Sequence, residues 1–211
     1  MIQKAKPKAA ARGQLRIIGG AMRRHLLPIA PVEGLRPTPD RVRETLFNWL
    51  GQDCTGLKVL DLFSGTGALG FEAASRGASH VQLVENHPLV CRQLVANCKL
   101  LLDKWPNSDA PRPDIQVHRA SVPSFLQSSA QSTTYDLIFL DPPFGSDLLE
   151  QTLGYLKHLL EPSGVVYIEW GKPLFDDLPT LVKCLKVAEI ETLRHIRAGQ
   201  VHAHLLALPA V

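Results

Sequence analysis

Three glycines at fixed spacing, Gly65, Gly67 and Gly70, stand directly after an apolar run, Leu57 to Phe63, and at the start of a helix-like segment, Ala68 to Arg76. A strand that breaks into a glycine loop and re-forms at once as a helix is the first half of a β-α-β unit, whose return strand runs parallel to the first. Parallel strands are buried on both faces, so the rest of the chain must supply further apolar strands and helices to cover them. It does. His80 to Glu85, Ile115 to His118, Tyr135 to Leu140 and Gly164 to Trp170 read as strands, and Pro88 to Asp103, Ser124 to Gln127 and Asp147 to Leu160 as helices. Lys104 to Pro113, rich in Pro, Asn and Asp, reads as a loop. Cys184 to His195 and Val201 to Leu208, around Ala198-Gly199-Gln200, read as two strands joined by a tight turn. The expected fold is α/β and Rossmann-like: a mostly parallel seven-stranded sheet finished by a C-terminal antiparallel hairpin.

The first part of the chain is different in kind. Residues 1 to 44 hold ten Lys and Arg against Glu33, Asp40 and Glu44, a balance of +7 that leaves −4 for the remaining 167 residues. A cationic arm on a mildly acidic body is the charge pattern of a protein that grips a polyanion at one end. Residues 1–13 show no periodicity and read as a flexible basic tail. Gln14 to Ile18 and Ala21 to Pro28 flank Gly19-Gly20, a two-residue hairpin signal that would carry Arg16, Arg23, Arg24 and His25 outward. Thr38 is placed to cap a helix, with Pro39 in the first turn and Asp40 at the positive end of the dipole. Leu46, Phe47, Trp49 and Leu50 give that helix an apolar side, and Gly51 ends it. The expected division is 1–13 tail, 14–51 hairpin-and-helix extension and 52–211 main domain; 211 residues hold one sizeable α/β domain with an appendage.

No stretch of 18 apolar residues and no hydrophobic signal core occurs, so a cytoplasmic protein without a membrane segment is expected. Cys54, Cys91, Cys98 and Cys184 form no CxxC pair and read as reduced thiols, Cys91 and Cys98 sharing one helical face in the core.

The glycine loop opens a helix whose N-terminus favours a polar ligand, and Glu85 ends the next strand 20 residues after Gly65, where its carboxylate can accept from both hydroxyls of a ribose. Asp61 decides which nucleotide. A carboxylate just before the loop repels a pyrophosphate by a few kcal/mol, on the order expected at partly buried separations. It attracts the amino group and sulfonium of S-adenosylmethionine. The expected cofactor-binding set is Asp61, Phe63, Ser64, Gly65, Gly67, Leu69, Gly70, Glu85, Asn86 and Ser121, with S-adenosylhomocysteine as product. Arg119-Ala120-Ser121 lacks the Asp that methyltransferases often carry beside the adenine.

Asp141-Pro142-Pro143-Phe144 follows the strand Tyr135 to Leu140. An exocyclic amine of a nucleobase is a poor nucleophile because its lone pair is delocalised into the ring. Asp141 and the Pro142 carbonyl could each accept one N–H and turn the lone pair toward a methyl group, Phe144 could stack on the base, and the two prolines would hold these groups in fixed relation. A base in a helix must leave its stack to reach such a turn. These four residues are the expected catalytic set. The turn equally suits adenine N6 in DNA or a glutamine side chain. An RNA-binding assembly factor that keeps the donor pocket as a relic, and a dinucleotide oxidoreductase, are further readings, the last disfavoured by Asp61.

Arg16-Ile17-Ile18-Gly19-Gly20, Gly34-Leu35-Arg36-Pro37-Thr38, Asp40 to Leu50, Ser64 to Gly70, Asp141 to Phe144 and Ala198-Gly199-Gln200-Val201 together resemble the bacterial 16S ribosomal RNA guanine-N2 methyltransferases of the RsmD type. The likeness runs in order from about Gln14 to the C-terminus. It implies a class I methyltransferase fold, S-adenosylmethionine as methyl donor, and N2 of one guanine in 16S rRNA of the small ribosomal subunit as acceptor; separately from the resemblance, a monomer is expected. It also implies that the N-terminal hairpin and helix touch RNA, so Arg16, Arg23, Arg24, Arg36, Thr38, Arg41 and Arg43 become candidate RNA contacts; pairing of Arg36, Arg41 and Arg43 with Glu33, Asp40 or Glu44 is the competing reading. This chain departs from the family in a longer Lys104 to Pro113 loop and in His202 and His204, which alternate on one strand face with no third ligand in sequence and read as sheet residues, not as a metal site.

Overall fold

Runs of Val, Leu and Ile without polar alternation become the middle strands of one sheet, since only a strand covered on both faces can use them. The computed structural model describes residues 13–106, 111–129, 133–143, 145–171, 173, 182–183, 185 and 190–208. Two short strands, β1 (Gln14–Arg16) and β2 (Leu26–Pro28), and helix α1 (Asp40–Trp49) precede the alternating part. That part runs β3 (Lys58–Asp61), α2 (Ala68–Ser75), β4 (His80–Glu85), α3 (Pro88–Asp103), β5 (Asp114–Arg119), α4 (Val122–Ser129), β6 (Tyr135–Leu140), α5 (Leu148–Leu159) and β7 (Leu160–Trp170), and the hairpin β8 (Glu191–Ala198) and β9 (Val201–Ala207) closes it. The sheet order is β5-β4-β3-β6-β7-β9-β8; the first five strands are parallel, and β9 is antiparallel to both β7 and β8.

Strand alternation sorts the core into two layers. Val59, Val81, Leu83, Leu137, Phe139, Tyr167 and Leu205 pack on one face with α2 and α3. Leu60, Val84, Ile138, Leu140, Val166, Ile168 and Leu206 pack on the other with α4 and α5. Leu15, Ile17, Met22, Leu27, Leu46 and Phe47 of the N-terminal segment belong to the first layer, so this segment shares the core of the sheet. Phe47 meets Phe139 edge-on, with ring centroids 6.3 Å apart. Cys91 and Cys98 are buried as expected, and Cys54, Cys91 and Cys98 are free thiols; Cys184 lies outside the described residues.

Three local expectations are corrected. Gly19-Gly20 is not a two-residue hairpin turn: β1 and β2 pair Gln14 with Pro28 and Arg16 with Leu26, and residues 17–25 form the connection. The glycines are required by close approach, since a Cβ on Gly20, at φ +73°, would lie 1.8 Å from the Ser75 carbonyl oxygen. Thr38 does not cap α1; Pro39 is the N-cap residue and the Thr38 carbonyl accepts from Arg43 Nε at 3.2 Å. The strand expected from Cys184 begins only at Glu191, because Val182, Lys183 and Leu185 are helical and Leu185 is buried in the second layer.

One buried carboxylate holds the N-terminal segment on α2. Glu72 is fully enclosed, and its two oxygens accept from Ile18 N at 2.8 Å, Gly19 N at 2.7 Å, Arg43 Nη1 at 3.2 Å and Arg76 Nε at 2.9 Å. Ser75 adds a second clasp, donating from Oγ to Gly19 O and accepting from Met22 N. Removing one member of a buried charge network leaves its partners unpaired in a low-dielectric interior. Glu72→Ala is therefore expected to lower the stability measured by urea unfolding by about 3–5 kcal/mol. Glu72→Gln, which keeps an oxygen for two of the donors, should lose less. A Glu72→Ala protein within about 1 kcal/mol of the parent would show that the network is solvated.

Candidate active site

Alternation also decides which polar groups meet. Asp61 is in register with Phe139 on β6, and Phe139 with Tyr167 on β7. One step of two residues further along the same face come Asp141 and Glu169. The carboxyl ends of β3, β6 and β7 thus bring Asp61, Asp141 and Glu169 to one side of one rim, the crevice where open α/β sheets bind ligands. These groups act on each other. Burial first, then the neighbouring Asp141 and Glu85 charges against the opposing hydrogen bond from Gly70 N, push the Asp61 carboxyl up to about 7. Burial pushes Asp141 up to about 6, and burial followed by the Asp141 charge pushes Glu169 up to about 8. Tyr167, wholly enclosed, donates from its hydroxyl to Glu169 Oε1 at 2.9 Å.

The glycine loop has the geometry its sequence requires. Gly67, at φ +78°, caps α2, and a Cβ there would enter the Phe71 ring at 2.4 Å; a Cβ on Gly70 would strike Leu83 at 2.3 Å. Gly70 N donates to Asp61 Oδ2 at 3.2 Å, Ser64 Oγ donates to the Asp61 carbonyl at 2.8 Å, and Gly67 N donates to the Ser64 carbonyl at 2.6 Å. Glu85 shapes the other lip: Oε2 accepts from Gly65 N at 3.1 Å and Oε1 from His87 N at 2.7 Å, which leaves each oxygen a lone pair for a further donor. Asn86 is exposed beside it, Phe63 is half-buried, and the Leu69 side chain is buried in the first core layer. Ser121 stands at the start of α4, exposed, where its Oγ accepts from Ser124 N at 3.4 Å. Two carboxylates and a glycine cradle fit a cationic ligand that carries a diol, and do not fit a pyrophosphate.

The Asp141 turn is closed by Ser146, whose N and Oγ both donate to the Pro143 carbonyl, at 3.3 and 2.7 Å. Pro142 is buried and Pro143 exposed. Phe144, expected to stack on a base, lies outside the described residues. Glu169 and Tyr167 were not singled out from sequence; the signal was a carboxylate two residues from a tyrosine inside an otherwise apolar strand, Val165 to Trp170.

The candidate RNA contacts divide. Arg23, Arg24, Arg36 and Arg41 are exposed, and Thr38 is half-buried. Leu35, the residue before Arg36, packs against the glycine loop, its side chain 3.5 Å from where a Cβ on Gly65 would sit. Arg16 is exposed but paired with Asp40. Arg43 is corrected: its side chain is fully buried between Asp40, Glu72 and the Arg16 carbonyl, and it is a structural ion rather than a surface contact. Arg43 and Asp40 thus follow the ion-pair reading of the sequence.

Comparison with known proteins agrees with this fold. The model of the family described as conserved hypothetical protein 95 matches residues 15–206. Ribosomal RNA small subunit methyltransferase D of Escherichia coli strain K12 is 40% identical over 178 residues, covering 83% of each chain. Among solved structures, a putative methyltransferase, yhhF, from Escherichia coli superposes with a TM-score of 0.77 at 37% identity over 94% of this chain and 100% of its own. A Thermus thermophilus 16S rRNA N2 G1207 methyltransferase, solved with AdoMet and guanosine, has a TM-score of 0.68 at 22% identity over 98% of this chain and 53% of its own, a likeness of fold.

A carboxyl raised to about 7 holds a proton below that pH and cannot then pair with a cation. S-adenosylmethionine affinity, measured by calorimetry, is expected to rise up to about tenfold per pH unit as pH climbs to about 7, and to level off above it, with proton release in the lower range. Asp61→Asn should abolish this dependence and weaken binding. It should also raise Tm at pH 8, because the raised pKa costs stability that is lost progressively between the ordinary carboxylate range and about pH 7 and is fully lost above it. A pH-independent affinity in the parent protein would remove Asp61 from the donor site.

Proposed function

This chain belongs to the family described as conserved hypothetical protein 95, and we propose that, as an S-adenosylmethionine-dependent methyltransferase of that family, it methylates N2 of a guanine in 16S rRNA of the small ribosomal subunit. The observation that carries the reading is the meeting of Asp61 and Asp141 on one sheet face at one rim, close enough that each charge is felt by the buried groups around it. The curated relative supports the ribosomal substrate through its name.

Asp61, Glu85 and the backbone of Ser64 to Gly70 hold the donor, and S-adenosylmethionine, when bound, supplies a methyl group on a cationic sulfur. Asp141 accepts one N–H of the guanine amine and the Pro142 carbonyl the other, which turns the nitrogen lone pair out of conjugation. Phe144 stacks on the base, which has left its helix to reach the turn. The nitrogen that has gained a methyl group becomes acidic and gives its proton to Asp141. Glu169, held by Tyr167 and carrying its own proton at neutral pH, leaves Asp141 the ionised member of the pair. Arg23, Arg24, Arg36 and Arg41 meet phosphates, while Arg16 and Arg43 keep the N-terminal segment seated.

Labelled S-adenosylmethionine offered with 30S subunits, naked 16S RNA, DNA or protein should place label on guanine N2 of the ribosomal substrate. Label in DNA or protein alone ends the rRNA reading, and label on adenine ends the guanine reading. Asp141→Ala should abolish transfer and keep donor binding within a few-fold; lost donor binding would reassign this residue. The parent rate should fall as pH drops below about 6, where Asp141 takes up a proton. Replacing Arg23, Arg24, Arg36 or Arg41 by Ala should weaken RNA binding and flatten its salt dependence by about 0.7–0.9 in log–log slope for each phosphate left without its cation. Unchanged slopes would show that these cations face solvent.

A further inference from the structure

On the opposite face of the sheet from the acidic rim, the C-terminal hairpin gathers three imidazoles. His202 and His204 alternate on β9 and so share one sheet face, and His195 on β8 stands directly opposite His204 in the antiparallel register. The third ligand that the sequence did not reveal is therefore a cross-strand neighbour. One ring nitrogen of each histidine lies within 4.8 Å of one of each of the others, and His195 Nε2 is 3.0 Å from His202 Nδ1. The rings are stacked, with centroids 4.3 Å apart for His195 and His204 and 5.3 Å apart for His195 and His202. His202 also lines a cavity of about 410 Å³ with Gly171, Arg197 and Gln200, which leaves room for water on one side of the cluster.

We propose that His195, His202 and His204 form a binding site for one divalent late transition metal ion of the Zn²⁺ class. Three neutral nitrogen donors without thiolate or carboxylate select Zn²⁺, Ni²⁺, Co²⁺ or Cu²⁺ over Mg²⁺ and Ca²⁺. Metal–nitrogen bonds of about 2.0–2.1 Å in tetrahedral geometry set the nitrogens roughly 3.3 Å apart, so the cluster must contract by an ångström or so. The near-parallel rings must also turn, because their lone pairs lie in the ring planes, and His195 and His202 exchange their mutual hydrogen bond for the metal. His195, on the exposed edge strand, has room to turn; His204, fully enclosed, fixes the site. The fourth position opens toward the cavity and takes a water. The ion would cross-link β8 to β9 at the sheet edge and lies apart from the donor loop, so the proposal stands independently of the methyl-transfer reading.

The test is calorimetric titration of untagged protein with Zn²⁺, together with Co²⁺ absorption spectra. One equivalent should bind, Co²⁺ should give the intense visible bands of tetrahedral coordination, and Tm should rise with Zn²⁺. His195→Ala and His202→Ala should each weaken binding by more than the roughly 10–100-fold that loss of an outer-shell partner costs. His80→Ala, at a separate histidine paired with Asp114, should change nothing. His195→Ala should keep its metal-free Tm, so that its loss of binding is not loss of fold. Equal affinity in the parent and the His195→Ala and His202→Ala proteins, octahedral Co²⁺ spectra, or loss of binding on His80→Ala would overturn the site and leave the histidines a stacked ladder.

Discussion

Three carboxyl groups crowded on one sheet face at the ends of neighbouring strands are the constraint around which this molecule is organised. Burial penalises all three carboxylates, and the Asp141 charge adds to the penalty on Asp61 and Glu169, so Asp61, Asp141 and Glu169 hold their protons at pH values where exposed carboxyls have lost them. Such a rim destabilises the folded protein unless something else fixes it, and sites of this kind are where stability is given up for chemistry. The parallel strands supply the rigidity. Asp61 and Glu169 stand on strands covered by helices and Asp141 directly follows one, and the glycines of the first loop let backbone amides approach where side chains could not. A cationic ligand at this rim would relieve the repulsion, so the proposed donor site uses the same groups that burden folding.

The N-terminal segment is bound into this arrangement. Glu72 collects two backbone amides from that segment and two guanidinium groups, and Asn97 on α3 donates to the Pro28 carbonyl, so residues 14–51 are clamped from two helices. The clamp uses Arg43 inward and leaves Arg23, Arg24, Arg36 and Arg41 outward. Cation count alone could not distinguish these uses. A basic arm in sequence is in this fold a mixture of internal ties and outward charges.

The order of strands and helices was legible because apolar runs, helix periods and glycine breaks are local signals: His80–Glu85, Pro88–Asp103 and Tyr135–Leu140 read with their observed bounds. Asp61, Glu85 and the glycine loop were legible too, since all fall within one β-α-β unit. What was not legible depended on contacts distant in sequence. Glu169 meets Asp141 only through the pairing of β6 with β7, His195 meets His204 only through the final hairpin, and Gly19-Gly20 serves the approach to Ser75 rather than a turn of its own. Arg43 was ambiguous for the same reason, because its partner Glu72 lies 29 residues away on another helix. Thr38 lost the cap to Pro39 through a one-residue choice at the helix start.

A crystal structure of the protein with S-adenosylhomocysteine and guanosine tests the central claim most directly, because it locates donor, acceptor and acidic rim at once. The account predicts the thioether sulfur on the sheet face that carries Asp61 and Asp141, with guanine N2 hydrogen-bonded to Asp141 and aimed at the sulfur at roughly the near-attack separation of 3–3.5 Å plus the missing methyl bond. A thioether on the opposite face of the sheet, or a base bound beyond the reach of Asp141, would contradict it.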